Sequence, residues 1–129
     1  RSICCLRPGV EGQSENIRVR SLVGRFLEHS RIYRFGSPAR GYDYLIGSAD
    51  MMPRNLDRRI EVIVPVLDPE LQQRLEEILQ AVLHDDILAW ELGPKGWTKV
   101  PTSRGIDAHK LLQERATQRS HPTLRVARD

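Results

Sequence analysis

The stretch "RIEVIVPVLDPELQQRLEEILQAVLH", residues 59–84, changes character half-way. Residues 59–66 are rich in β-branched side chains and lack polar alternation, which is the composition of a strand buried on both faces. Asp68 and Pro69 then give a helix N-cap followed by proline at the first helical position. Leu71, Leu75, Ile78, Leu79 and Val82 recur at helical spacing and form one apolar stripe. The stripe ends near His84, whose charge suits a helix C-terminus. A buried strand feeding an amphipathic helix must bury that stripe on a sheet or on another helix, so the expected fold is a layered α/β or α+β domain with a mixed sheet flanked by helices.

Upstream, residues 2–6 ("SICCL") read as a short buried strand and 7–16 as a Pro/Gly loop. Residues 17–23 alternate apolar with arginine, the pattern of a strand with one wet face. Residues 24–29 suit one helical turn, 31–35 a strand, 36–43 a hairpin loop and 44–47 its return strand. Downstream, "ILAWEL" and "WTKV" pair around "GPKG", and 105–118 read as a last helix. Met51 and Met52 read as core filler. His109 and His121 are expected to be exposed.

With 129 residues the chain is expected to form one domain, 1–119, followed by a frayed tail, 120–129. It begins with arginine and an apolar strand, which suggests a piece of a longer protein. Its apolar runs are shorter than the roughly 20 residues that cross a bilayer. Cys4 and Cys5 are adjacent and point to opposite faces of a strand, so a mutual bond is disfavoured and a reducing, cytoplasmic location is expected. No pair of histidines has metal-ligand spacing.

The net charge of +3 conceals an asymmetry. Residues 1–60 hold 11 basic and 6 acidic side chains, residues 61–101 hold 3 and 8, and residues 102–129 hold 6 and 3. All the basic residues of the first block are arginine, whose planar fork suits phosphate and carboxylate oxygens. Either a solvated basic face or an anionic partner accounts for this. The bend "GSADMMPRNLDRR" concentrates Arg54, Asn55, Asp57, Arg58 and Arg59, far more than a reversal of direction needs. It reads either as an anion site, with Asp57 holding an arginine in place, or as a charge network bracing two strands. His29 precedes the strand "RIYRF" and has Arg31 two positions on. On a strand the two would share a face and could meet one ligand; otherwise His29 is a surface residue. Neither a GxxxxGKS loop nor a GxGxxG turn is present, so phosphate would be held by side-chain cations.

"HSR" followed by "GSADMMPRNLDRRIEV" resembles the second half of a phospholipase D-type motif. His29, Gly47, Ser48 and Glu61 match it in type and order, with Arg31 in place of its lysine and Asp50 in place of its asparagine. The motif's further carboxylate has no counterpart near Gly36, which argues against ordinary phospholipase or nuclease activity. A narrower resemblance runs from Arg1 to about Gln118. "RSICCLRPGVEGQSENIRVRS", "GRFLEHSRIY" and "SADMMPRNLDRRIE" resemble the C-terminal, phospholipase D-like domain of the bacterial polyphosphate kinases that work through a phosphohistidine.

That resemblance implies reversible transfer of the terminal phosphate of ATP to polyphosphate, with magnesium. It implies that the phosphohistidine and the magnesium ligands lie in a preceding domain. It implies that Arg1 and His29 contact the nucleotide phosphates, with His29 catalytic. Arg31, Arg54, Asn55 and Arg58 would support the phosphate site. The expected partners are ATP and ADP, inorganic polyphosphate, the preceding domains of the same polypeptide and further copies in a homo-oligomer, with no specific nucleic acid. The cytoplasm is the expected location, with membrane association left open. The rival reading is a non-catalytic module that binds polyanions, polyphosphate or nucleic acid, through the arginine-rich half.

Overall fold

The computed structural model describes residues 4–120. Its elements run β1 (Arg20–Leu22), β2 (Ile32–Ser37), β3 (Gly41–Gly47), α1 (Pro53–Arg58), β4 (Ile63–Val66), α2 (Pro69–His84), β5 (Ala89–Gly93), β6 (Gly96–Lys99) and α3 (Ala108–Ser120). The class is α+β, as expected from residues 59–84. The strands form two three-stranded antiparallel sheets, β1-β5-β6 and β2-β3-β4. The chain divides into two compact units, Leu27–Gln80 and the remainder, and the division falls within α2.

In the unit Leu27–Gln80, β2 and β3 form a hairpin whose register pairs Ser37 with Gly41. Gly36 has a φ of 121°, and a Cβ there would lie 2.2 Å from the Gly41 carbonyl oxygen, so glycine is required. One face of the sheet carries Ile32, Ile46 and Val64 in one cross-strand row and Arg34, Tyr44 and Val66 in the next. Helix α2 covers that face: Glu76 accepts hydrogen bonds from Arg34 Nη1 (2.6 Å) and the Tyr44 hydroxyl (2.7 Å). Gln72 Nε2 donates to the Val66 carbonyl at 2.8 Å. The N-terminus of α2 is as its sequence predicts, with Asp68 Oδ1 accepting from the amides of Glu70 (2.8 Å) and Leu71 (3.1 Å).

The run 59–66 departs from expectation. It forms a strand only over Ile63–Val66, at the sheet edge, and is not buried: Ile60 is fully exposed, Val62 is mostly so, and Ile63 and Val64 are nearly half exposed. β-branched composition reports a pleated strand but not what covers it. The apolar stripe of α2 is also only half covered, with Leu71 exposed and Leu75, Ile78, Leu79 and Val82 half-buried. Met51 is exposed and Met52 half-buried, so neither fills a closed core.

In the other unit the buried centre is small: Ala81, Ala89 and Ala108, with the carboxylates of Asp85 and Asp86. Asp85 is fully buried and accepts from the amides of Leu88 (2.6 Å), Ala89 (3.0 Å) and Ala108 (2.7 Å). Asp86 accepts from the amides of Ser103, Arg104, Gly105 and Ile106, so two adjacent carboxylates organise the run from α2 into β5 and the approach to α3. The amide of Arg104 first, then that of Ser103, hold the Asp86 carboxyl well below the usual range against the opposing effect of burial. Arg20 donates to the carbonyls of Leu83 and Asp85, satisfying acceptors at the end of α2. His109, expected at the surface, is buried on α3 against the ring of Phe26, with centroids 5.4 Å apart.

Of the strand expected at 2–6, the described residues 4–6 carry none, and the strand expected at 17–23 contracts to Arg20–Leu22. Residues 24–26 form a bend and 27–29 carry no regular element, so the helical turn expected over 24–29 is not made. Cys4 is half-buried and Cys5 exposed, with no disulfide joining them. The expected tail lies almost wholly outside the described residues, as do Arg1 and His121. No helix among the described residues is long and apolar enough to cross a membrane.

Candidate functional site

The site expected from sequence gathers where β2 begins and β3 ends, within the unit Leu27–Gln80. These strands are antiparallel neighbours, with Ile32 opposite Ile46, so the entry to one lies beside the exit of the other. Residues 29–31 and 47–50 are thereby brought together across a long stretch of sequence. Gly47 is compelled by this geometry, because a Cβ there would meet the Val62 carbonyl oxygen at 2.7 Å and the Ile63 side chain at 2.8 Å. Beyond it the chain turns into α1, a six-residue helix with Pro53 in its first turn, where the sequence suggests only a bend.

The first cluster is an ion pair. Arg31 Nε donates to Asp50 Oδ1 at 2.7 Å, and Arg31 Nη1 donates to the carbonyl of His29 at 3.0 Å. The hydrogen bond from Arg31 holds the Asp50 carboxyl below its ordinary value, with Arg54 and Arg59 adding at longer range against some burial. The same bond raises Arg31 further. His29 is exposed and precedes β2, which begins at Ile32. The shared strand face expected of His29 and Arg31 therefore does not exist. A side-chain-to-backbone hydrogen bond joins them instead.

The second cluster is a brace. Glu61 accepts from the Ser48 hydroxyl and from Asn55 Nδ2, the latter at 2.7 Å. Ser48 Oγ in turn accepts from the Val62 amide at 3.1 Å. Ser48, then Asn55, hold the Glu61 carboxyl below its ordinary value. Asn55 is buried, at 3% exposure, so it sets the position of α1 from within. Arg54 and Arg58 lie four residues apart on one side of α1 and are exposed. Asp57, expected to hold an arginine, is exposed and pairs with none of the arginines of the bend, whereas Arg31 pairs with Asp50. The bend thus divides its labour: Asn55 and Glu61 brace it, while Arg54 and Arg58 present charge to solvent.

An open groove of about 500 Å³ adjoins the clusters. Ser30, Arg31 and Ser48 give it polar walls, and Ile32, Ile46, Val64, Leu75 and Ile78 give it apolar ones. Sequence reasoning missed two features of this region. Asp50 is the partner of Arg31 and not only a substitute for an asparagine, and Glu61 holds both Ser48 and Asn55. Carboxylates close in number to a cluster of arginines were a signal, but the sequence does not say which pairs form.

The family model for polyphosphate kinase C-terminal domain 2 matches residues 1–110. The chain belongs to that family. Polyphosphate kinase 1 of Chlorobaculum tepidum is 47% identical over 128 residues, which are 95% of this chain and 18% of that protein. The polyphosphate kinase of Synechocystis sp. is 58% identical over 96 residues, 74% of this chain and 13% of that protein. The crystal structure of polyphosphate kinase from Porphyromonas gingivalis superimposes with a TM-score of 0.81 at 36% identity, covering 93% of this chain and 19% of that one. The α+β fold is thus that of a polyphosphate kinase C-terminal domain, and the chain spans less than a fifth of the length of these relatives.

Magnesium, expected with polyphosphate kinase chemistry, does not fit the residues described. No three His, Cys, Asp or Glu side chains among them converge. The carboxylates of the site are already engaged, Asp50 by Arg31 and Glu61 by Ser48 and Asn55.

Proposed function

We propose that this chain works as the C-terminal part of a polyphosphate kinase, which transfers the terminal phosphate of ATP to inorganic polyphosphate and back. Identity of 47–58% with named polyphosphate kinases carries this reading. Arg1 and His29 contact the nucleotide phosphates, and the nucleophilic histidine and the magnesium ligands belong to other domains of the same polypeptide. The full-length enzyme is a homo-oligomer with ATP, ADP and polyphosphate as its substrates.

Phosphoryl transfer asks a protein mainly for positioning and for positive charge around the moving oxygens. Exposed His29 supplies an imidazole N–H that donates a hydrogen bond or a proton to the phosphate or its leaving oxygen. Arg31 stands two residues away, tied to the His29 carbonyl. Arg54 and Arg58, exposed and without ion-pair partners among the described residues, add cationic character along α1, while Asn55 and Glu61 keep that helix in place.

The test is phosphoryl transfer by the full-length enzyme, measured as ADP formed from ATP with polyphosphate as acceptor. The expected result is saturable transfer and ATP binding that weakens when Arg1 or His29 is replaced. Loose binding of any polyanion, abolished by salt and indifferent to both residues, would support the rival polyanion-binding module instead.

A further inference from the structure

We infer that Asp50 is a positioning residue for phosphoryl transfer, which sets the Arg31 guanidinium so that its unused N–H groups meet phosphate oxygens while Nη1 holds the backbone at His29. This rests on the functional reading above and adds a role for a residue that the reading leaves unexplained.

A carboxylate in a phosphate site needs a reason, because it repels the ligand. Asp50 is such a carboxylate, within reach of the charges of Arg31, Arg54 and Arg59. Stability is a poor reason. The side chains of Arg31 and Asp50 are 28% and 34% exposed, and ion pairs open to solvent contribute little. Geometry is a better one. A guanidinium carries five N–H donors in a rigid plane. Asp50 takes the one on Nε, and the His29 carbonyl takes one on Nη1. Three remain, from five less two, all on the terminal nitrogens. Because the plane is rigid, an anchor at Nε fixes where the remaining donors point, and donors on neighbouring nitrogens can bind two oxygens of one phosphate.

The anchor also lowers the cost of using the side chain. A free arginine loses rotamer freedom when it grips a ligand, whereas one already held loses little. The same anchor reaches the His29 main chain, so one carboxylate at the end of β3 controls both the cation and the backbone that carries the imidazole. A lysine could not do this, because its donors radiate from a single nitrogen.

The experiment measures kcat and KM for ATP, with melting temperature, in the full-length enzyme and four variants: Asp50→Ala, Asp50→Asn, Arg31→Ala, and Asp50→Ala with Arg31→Ala. Arg31→Ala is expected to lower kcat on the order of 10²-fold, the scale of one lost oxyanion donor. Asp50→Ala is expected to lower kcat about 10-fold with little change in KM, as for a lost transition-state interaction. Asp50→Asn keeps an oxygen acceptor for Nε and is expected to restore most of that kcat without a change in melting temperature. The double variant is expected to be no slower than Arg31→Ala alone, because Asp50 acts only through Arg31. Losses that multiply in the double variant, or Asp50→Asn as slow as Asp50→Ala, would overturn the inference while the functional reading stands. An Arg31→Ala enzyme with normal kcat would also overturn it. A parent enzyme that transfers no phosphate would overturn the reading of function, and this inference with it.

Discussion

Nη1 of Arg34 on β2 lies 2.6 Å from one carboxylate oxygen of Glu76 on α2 and 2.7 Å from the other. This single nitrogen, with the Tyr44 hydroxyl, ties the helix to the sheet, while the Gln80 amide donates to Glu76 from within α2. Burial tends to raise the Glu76 carboxyl, but the hydrogen bonds from Tyr44, Gln80 and Arg34 outweigh it and hold the group at about 2. A carboxyl whose folded value lies below its unfolded one binds fewer protons when folded. Its contribution is complete above the ordinary value of 4.5 and is lost as the pH falls from there toward about 2. The melting temperature is therefore expected to drop across that window. Glu76→Gln should flatten the drop; an unchanged slope in that variant would show that Glu76 is not part of it.

Leu75 tests the half-covered helix stripe. It lines the groove and is only half-buried, so truncation removes less contact than in a closed core. Leu75→Ala is expected to cost about 1–2 kcal/mol by thermal or urea denaturation. No change would mean that the stripe faces water; a loss above about 4 kcal/mol would mean that it is fully enclosed.

Asp85 tests the other unit. It is fully buried and is the acceptor for three backbone amides, which Asp85→Ala would strand. The expected cost is about 3 kcal/mol or more, at the upper range for single substitutions. A variant that melts with the parent would show that water replaces the carboxylate without penalty.

The fold was readable where one local rule sufficed. Asp68-Pro69 and the spacing of Leu75, Ile78 and Leu79 located α2, and the GPKG turn located β5 and β6. It was not readable where the answer lay in another part of the chain. Ile60, Val62 and Ile63 have the composition of a central strand, yet they lie at or beside an uncovered edge. His109 looked exposed because its helix is polar, but its position places it against Phe26 and beside Gly24. In the site, His29, Arg31, Asn55 and Glu61 stood out by motif, and the structure joins each of them to a hydrogen-bonded cluster. Which carboxylate took which cation depended on the β2–β3 register, which no single stretch encodes.

The proposed role in phosphoryl transfer falls most heavily on His29, and turnover of the full-length enzyme carrying His29→Gln tests that role directly. Glutamine keeps a hydrogen-bonding side chain but cannot supply a proton near neutral pH. His29 is exposed, so the substitution should leave the fold and the melting temperature intact. The predicted result is a folded enzyme whose turnover with ATP and polyphosphate falls on the order of 10²-fold or more, the scale of general acid–base catalysis. Near-normal turnover by that folded variant would contradict a catalytic role and leave His29 as an ordinary surface residue.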